Sequence, residues 1–277
     1  MTSMMVSNLA RKTYARLRGA GLACAVLVFG LLAVPALADQ KLKVGISGGD
    51  AEIVWTKVKE IAAKDGLDVT VVVFNDYLLP NAALDVGDLD ANAFQHRPFL
   101  DNQIKTRGYK ITPVGNTIVA PIGLYSAKAK SIGEIGDGAS IGIPNDPSNG
   151  GRALLLLAAQ NLIKLRDGVG LLPTVLDIIA NPKKLQLREI DAAQLPRSLA
   201  DLDAAVINTN YAVPAGLIPG RDSIAIESTE NNPYNNFIAV RERDRDAAWV
   251  PKLVRAYQND TIRQLIKDKL PGQLPAF

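Results

Sequence analysis

From residue 41 onward the chain alternates short apolar runs with amphipathic stretches, and the loops between them are brief. KLKVGIS (41–47) reads as a strand. AEIVWTKVKEIAAKDG (51–66) places Ile53, Val54, Val58, Ile61 and Ala62 on one helical face and stops at Gly66. DVTVVVF (68–74), β-branched and uninterrupted, predicts a buried strand. LDANAFQ predicts another strand, and RPFLDNQIKTRG a helix with Pro98 in its first turn and Gly108 past its end. The mostly apolar GGRALLLLAAQNLIKL (150–165) predicts a buried helix. LQLREI, DAAVIN, SIAIES and FIAVRE read as strands, and 246–270 as helical, with Pro251 starting a second part. Such alternation dictates an α/β fold with mostly parallel strands. Two long extended stretches, 109–126 and 224–241, read as crossings between two lobes, one built from both chain ends and one from the middle.

The first 38 residues stand apart. MTSMMVSNLARKTYARLRGAG carries Arg11, Lys12, Arg16 and Arg18 and no acid, and an uncharged run follows to Ala36-Leu37-Ala38. A basic head, an apolar middle and a small-x-small end predict a cleaved signal peptide over 1–38. Without those four basic residues the chain is close to neutral, so no polybasic face points to nucleic acid. The single cysteine, Cys24, lies in the apolar run. The position three before it is Gly21 rather than a Leu-like residue, so lipid anchoring through Cys24 is not expected and the product reads as periplasmic.

Enzyme signatures are sparse. Ser47-Gly48-Gly49 sits between a strand and a helix, the place for an anion loop, but GISGGD matches neither GxGxxG nor a Walker A pattern. The Asp85, Asp88, Asp90 loop lacks calcium-loop spacing and reads as a solvated turn. One histidine and no HExxH pairing argue against a metal site, and no GxSxG occurs. Neither catalysis nor a cofactor is expected.

Ligand-binding candidates are better placed. In PNDPSNGGRALLLL (144–157), Arg152 falls in the first turn of a helix, where a cation opposes the dipole. Placement alone leaves two readings open: an arginine reaching solvent, or one that faces an anion together with free N–H groups. Asn208 and Asn210 lie at the carboxyl end of a strand, where ligands bind in open α/β sheets, or where asparagine simply turns the chain. Tyr77 follows another strand end. Phe94 and the only histidine, His96, are two apart in a strand and so share a face, while Arg97 points away.

Taken together, FNDYLLPNAAL, LDANAFQHRPFLD, VGNTIVAPIGLYS, IPNDPSNGGRALLLL, AAQLPRSLADLDAAVINTNYA and the PYNN turn resemble the methionine-binding receptors of ABC importers, the MetQ/NlpA family. The resemblance runs from about residue 40 to the C-terminus. It implies a type II periplasmic-binding-protein fold, with lobe I from 39–121 and 232–277, lobe II from 122–231, and a cleft between them. It implies a ligand wall of Tyr77, Phe94 and His96, with Arg152 on the ligand carboxylate and Asn208 and Asn236 at the amino-acid head group. Arg152 would take that carboxylate bidentately. L-methionine is the implied ligand, and the partner an ABC permease/ATPase complex at the inner membrane, served by a monomer. D-methionine, another amino acid, a short peptide or an adhesin-like surface role are the alternatives. Most of that family are lipoproteins, a pattern from which this sequence is expected to depart, with Gly21 three before Cys24.

Overall fold

The computed structural model describes residues 40–277. Its elements begin with β1 (Gln40–Ser47), α1 (Asp50–Ala63), β2 (Leu67–Phe74), α2 (Leu79–Val86), β3 (Ala91–His96), α3 (Arg97–Arg107) and β4 (Ile111–Val119). The middle holds β5 (Gly123–Tyr125), β6 (Ser140–Pro144), α4 (Pro147–Ala159), β7 (Lys164–Leu165), β8 (Ile178–Ala180), β9 (Gln186–Ile190), α5 (Leu195–Ser198), β10 (Ala204–Ile207), α6 (Thr209–Ala212) and β11 (Ser223–Ile226). The chain closes with β12 (Asn235–Arg241), α7 (Val250–Tyr257), α8 (Asp260–Lys269) and β13 (Leu274–Pro275).

Two sheets organise these strands. One has the order β13-β4-β12-β3-β1-β2, from both ends of the described chain, and the other β11-β5-β10-β6-β9, from its middle. β1 runs parallel to β2 and β3, and β6 parallel to β9 and β10, whereas β12 and β5 run antiparallel to their neighbours. The chain leaves the first sheet after Val119 and returns to it at Asn235. Both passages fall inside the two extended stretches singled out in the sequence.

Helices cover both faces of each sheet, which is what makes the strands so apolar. On the first, Val54, Trp55 and Val58 of α1 with Leu253, Tyr257 and Ile266 of α7 and α8 pack on Val44 and Ile46. Leu84 and Leu100 of α2 and α3 pack with Phe237 on its other face. On the second, Leu154 and Leu157 of α4 meet Ile141, Ile143 and Val206, and Leu195 and Leu199 meet Tyr125 and Ile207 opposite. At about 25 cal/mol per Å² of apolar area removed from water, such layers supply most of the driving force for folding.

Two elements differ from the sequence reading. β2 is an edge strand, and Val73 is 41% exposed although its run is uninterrupted and β-branched. The helical stretch 246–270 begins only at Val250 with Pro251 in its first turn, and its break comes at Asn259, whose side chain accepts from the Ile262 N–H and restarts the chain as α8.

Candidate functional site

Strand ends converge between the two sheets. Tyr77 lies just beyond β2, His96 ends β3, Pro144 leads into α4, and Asn208 follows β10. Tyr77, His96 and Asn208 come together there around a pocket. Tyr77, Phe94, His96, Arg152, Asn208 and Asn236 all line it. The sequence reading left Asn210 uncertain and passed over Phe99, Asn149, Ala120 and Thr209, which line it too.

One wall is aromatic. Tyr77 lies 6.1 Å from Phe94 and 6.0 Å from Phe99, ring centre to ring centre. Phe94 and His96 each meet Phe99 edge-on, at 5.8 and 6.2 Å. Phe99, from the first turn of α3, thus joins the two rings that strand alternation puts on one side. The pairing of β3 with β12 also slips by one residue between Asn92 and Gln95, so the strand bulges beside the pocket. Such bulges re-aim side chains, and simple alternation does not foresee them.

His96 is the N-cap of α3. Its Nδ1 accepts from the Phe99 N–H at 3.3 Å, so the proton of the neutral ring sits on Nε2. Nε2 faces Asn149 Oδ1 at 3.3 Å. Burial, and then the Arg152 charge, depress the imidazole from 6.5 to about 3, so the ring is neutral at physiological pH.

Asn149 passes this polarity on. Its Nδ2 donates to Asp146 Oδ2 at 2.9 Å, while the same carboxylate caps α4 through the Ser148 and Asn149 N–H groups. Its Oδ1 is thereby turned toward His96 and accepts from Asn208 Nδ2 at 2.8 Å. The Asn208 amide is then fixed, with Oδ1 on the far side, buried and without a partner among the described residues. A buried carbonyl left this way costs about 1–3 kcal/mol, and a donor entering the pocket recovers it. Asn210 is similar: its Oδ1 accepts from the Tyr77 hydroxyl at 2.5 Å and its Nδ2 is unpartnered. Asn236 donates through Nδ2 to the Phe94 carbonyl at 3.3 Å.

Arg152 is only 3% exposed, which excludes an arginine reaching solvent. Its Nε donates to Glu227 Oε1 at 2.8 Å and its Nη2 to Glu227 Oε2, and Nη2 also donates to the Ala120 carbonyl at 2.9 Å. Tyr234 covers one face of the guanidinium, 4.3 Å from ring centre to Cζ. Of its five N–H donors three are used, and only the two on Nη1 lack a partner among the described residues. Glu227 thus occupies the Nε–Nη2 fork on which a bidentate grip was expected, and the Nη1 edge carries the two remaining donors.

Two α/β lobes closing on such a pocket, with a donor edge, an amide acceptor and an aromatic wall, define a two-lobed receptor for a small ligand. The chain belongs to the NlpA lipoprotein family, whose model matches residues 42–277. It is 56% identical over 225 residues to the D-methionine-binding lipoprotein MetQ of Escherichia coli K12, covering 80% of this chain and 82% of that one. It is 48% identical over 256 residues to outer membrane lipoprotein 3 of Mannheimia haemolytica, covering 91% and 97%. Among solved structures, a nutrient-binding protein from Burkholderia cenocepacia bound to methionine superposes with a TM-score of 0.83 at 54% identity, covering 85% of this chain and all of that one. The type II periplasmic-binding-protein fold expected from the sequence is the fold of this chain.

One expectation is overturned. The sequence reading dismissed a lipid anchor at Cys24 and gave a free periplasmic product, whereas the family is one of lipoproteins and the relatives carry that word in their names. Lipid attachment requires a thiol, and Cys24 is the only one in the chain. A single ill-suited neighbour, Gly21, weakens a processing signal without removing the nucleophile. Cys24 and the signal peptide expected over 1–38 lie outside the described residues.

Proposed function

We propose that this chain is the substrate-binding receptor of an ABC importer, takes methionine as a free zwitterion into the inter-lobe pocket, and delivers it to the membrane permease. One observation carries the reading. The relay from Asp146 and His96 leaves the Asn208 Oδ1 acceptor unpartnered on the same pocket as the unoccupied Nη1 edge of Arg152. An acceptor for an ammonium and a donor for a carboxylate are what a buried amino-acid head group requires. A thioether packs well against ring edges, and Tyr77, Phe94, Phe99 and His96 supply them. The methionine-bound structure and the D-methionine-binding relatives support the same ligand. The lobes divide, on this reading, into 39–121 with 232–277 and 122–231.

Burying a methionine-sized side chain is worth ~1.5–3 kcal/mol, and each charge-assisted hydrogen bond about as much. After the entropy of association, an affinity between roughly micromolar and low-nanomolar is expected. Calorimetry with the L and D enantiomers tests the reading and sets their order. Arg152→Ala is expected to weaken methionine by at least ~2 kcal/mol. Unchanged affinity in a folded Arg152→Ala protein would contradict the assignment.

A further inference from the structure

The guanidinium of Arg152 turns its Nη1 edge to the pocket, and the rest of it touches both passages between the sheets. Nη2 donates to the carbonyl of Ala120, directly after β4, and the ring of Tyr234, directly before β12, covers one face. Nε and Nη2 hold Glu227, directly after β11. The outgoing passage is bonded along its length, since the Pro121 and Ile122 carbonyls accept from the Thr209 hydroxyl and the Glu227 N–H. The return passage is tied differently. Its side chains bond within one turn, where Asn232 Nδ2 donates to the Ser228 carbonyl at 2.7 Å and Asn232 Oδ1 accepts from the Tyr234 N–H at 2.8 Å. The Tyr234 ring is what joins the far end of that turn to Arg152.

Tyr234 stands behind the pocket wall rather than in it. It is 4% exposed, lies 4.3 Å from the Arg152 Cζ and meets His96 edge-on at 5.0 Å. Its hydroxyl is buried without a partner among the described residues, so the ring and not the hydroxyl makes the contact. A cation on a ring face gains most when both are out of water. We propose that Tyr234 is a positioning residue that sets how long the receptor stays closed. The role rests on the reading of this pocket as an amino-acid site in which Arg152 holds the ligand carboxylate. Turning the sheets apart draws the ring, which travels with β12, off the guanidinium, which travels with α4. Release requires that stacking to break, whereas entry into an open cleft does not. The contact therefore acts on the escape rate and leaves the capture rate alone.

The test is stopped-flow capture and displacement of methionine, in its better-bound enantiomer, with the unaltered receptor, Tyr234→Phe and Tyr234→Leu. Tyr234→Phe keeps the ring and is expected to release methionine within ~threefold of the unaltered rate. Tyr234→Leu loses it and is expected to release at least ~tenfold faster, while capture changes by less than ~threefold. A loss of affinity carried by capture, or unchanged release in a folded Tyr234→Leu protein, overturns the proposal. The route through Arg152 is checked in Arg152→Ala, where adding Tyr234→Leu is expected to move the dissociation constant by less than ~threefold. A ~tenfold change there puts the effect on His96 and overturns the proposal. If Tyr234→Leu does not fold, phenylalanines carrying one to three ring fluorines at position 234 keep the shape and weaken the negative ring face. Release is expected to quicken with each fluorine, which a ring needed only for packing would not follow, and a level series overturns the proposal. If the unaltered receptor binds no methionine, the amino-acid reading fails and this role with it. If it binds methionine and Tyr234→Leu releases it at the unaltered rate, only the role of Tyr234 fails.

Discussion

His96 invites an acid–base reading because it is the only histidine, and its surroundings give it a different task. It caps α3 and lends a fixed polarity to Asn149. Its depressed pKa has a consequence for stability. The unfolded chain takes a proton below about 6.5 that the folded chain refuses down to about 3. The contribution of neutral His96 is therefore complete above 6.5 and is lost as pH falls through this window, at roughly 1.4 kcal/mol per unit. Asp146, raised by burial, has the opposite sign, and Asp203 and Asp222, held at about 2, act only below the ordinary carboxylate range. Urea unfolding between about pH 5 and 6.5 is expected to show the loss of stability, and His96→Asn to flatten it. A flat profile in the unaltered protein would contradict the burial argument. At this scale the sequence was informative where a residue broke a local rule. Arg152 opposes its helix dipole and could be singled out, whereas Glu227 breaks no rule in SIAIES, and its partner is 75 positions away. Asn149 was hidden similarly, because an asparagine entering a helix is ordinary until it touches Asn208.

Elements were legible wherever periodicity and capping agreed. α3 runs from Arg97 to Arg107 with Gly108 left-handed at its end, as Pro98 and Gly108 predict. β2 was misread because a run of valines looks the same at the centre of a sheet and at its edge, and strand order depends on distant pairing. The start of α4 holds the relay in place, since Asp146 both caps the helix and orients Asn149. Asp146→Ala is expected to cost about 1 kcal/mol in capping, a fall of roughly 2–4 °C in Tm for a chain this size. Methionine binding should weaken in the same protein, because Asn149 loses the acceptor that turns Oδ1 toward Asn208. A lower Tm with unchanged binding would separate the cap from the relay.

Across the whole molecule, the lobes meet mostly through neutral groups, with Arg152 against Tyr234 and the Ala120 carbonyl as the charged exception. Tyr77 reaches Asn210, the Tyr211 hydroxyl donates to the Asn75 carbonyl at 3.2 Å, and His96 faces Asn149. Gly49 also belongs to this seam. Its φ of 89° favours glycine, and a Cβ there would lie 2.9 Å from Pro214, so the loop that resembles an anion site is in fact a contact between the lobes. Every ion pair among the described residues, Arg152–Glu227 included, has both partners on the same side of that seam. Opening the cleft therefore breaks dipolar contacts and the buried packing of Arg152 on Tyr234, and leaves the ion pairs intact. Dissolved salt weakens attraction between exposed charges over about 8–10 Å and has little hold on neutral contacts. The rate at which methionine escapes should then barely change between dilute buffer and ~0.5 M sodium chloride, as stopped-flow displacement would record. The receptor would release its cargo on the same clock whatever the ionic strength of its surroundings.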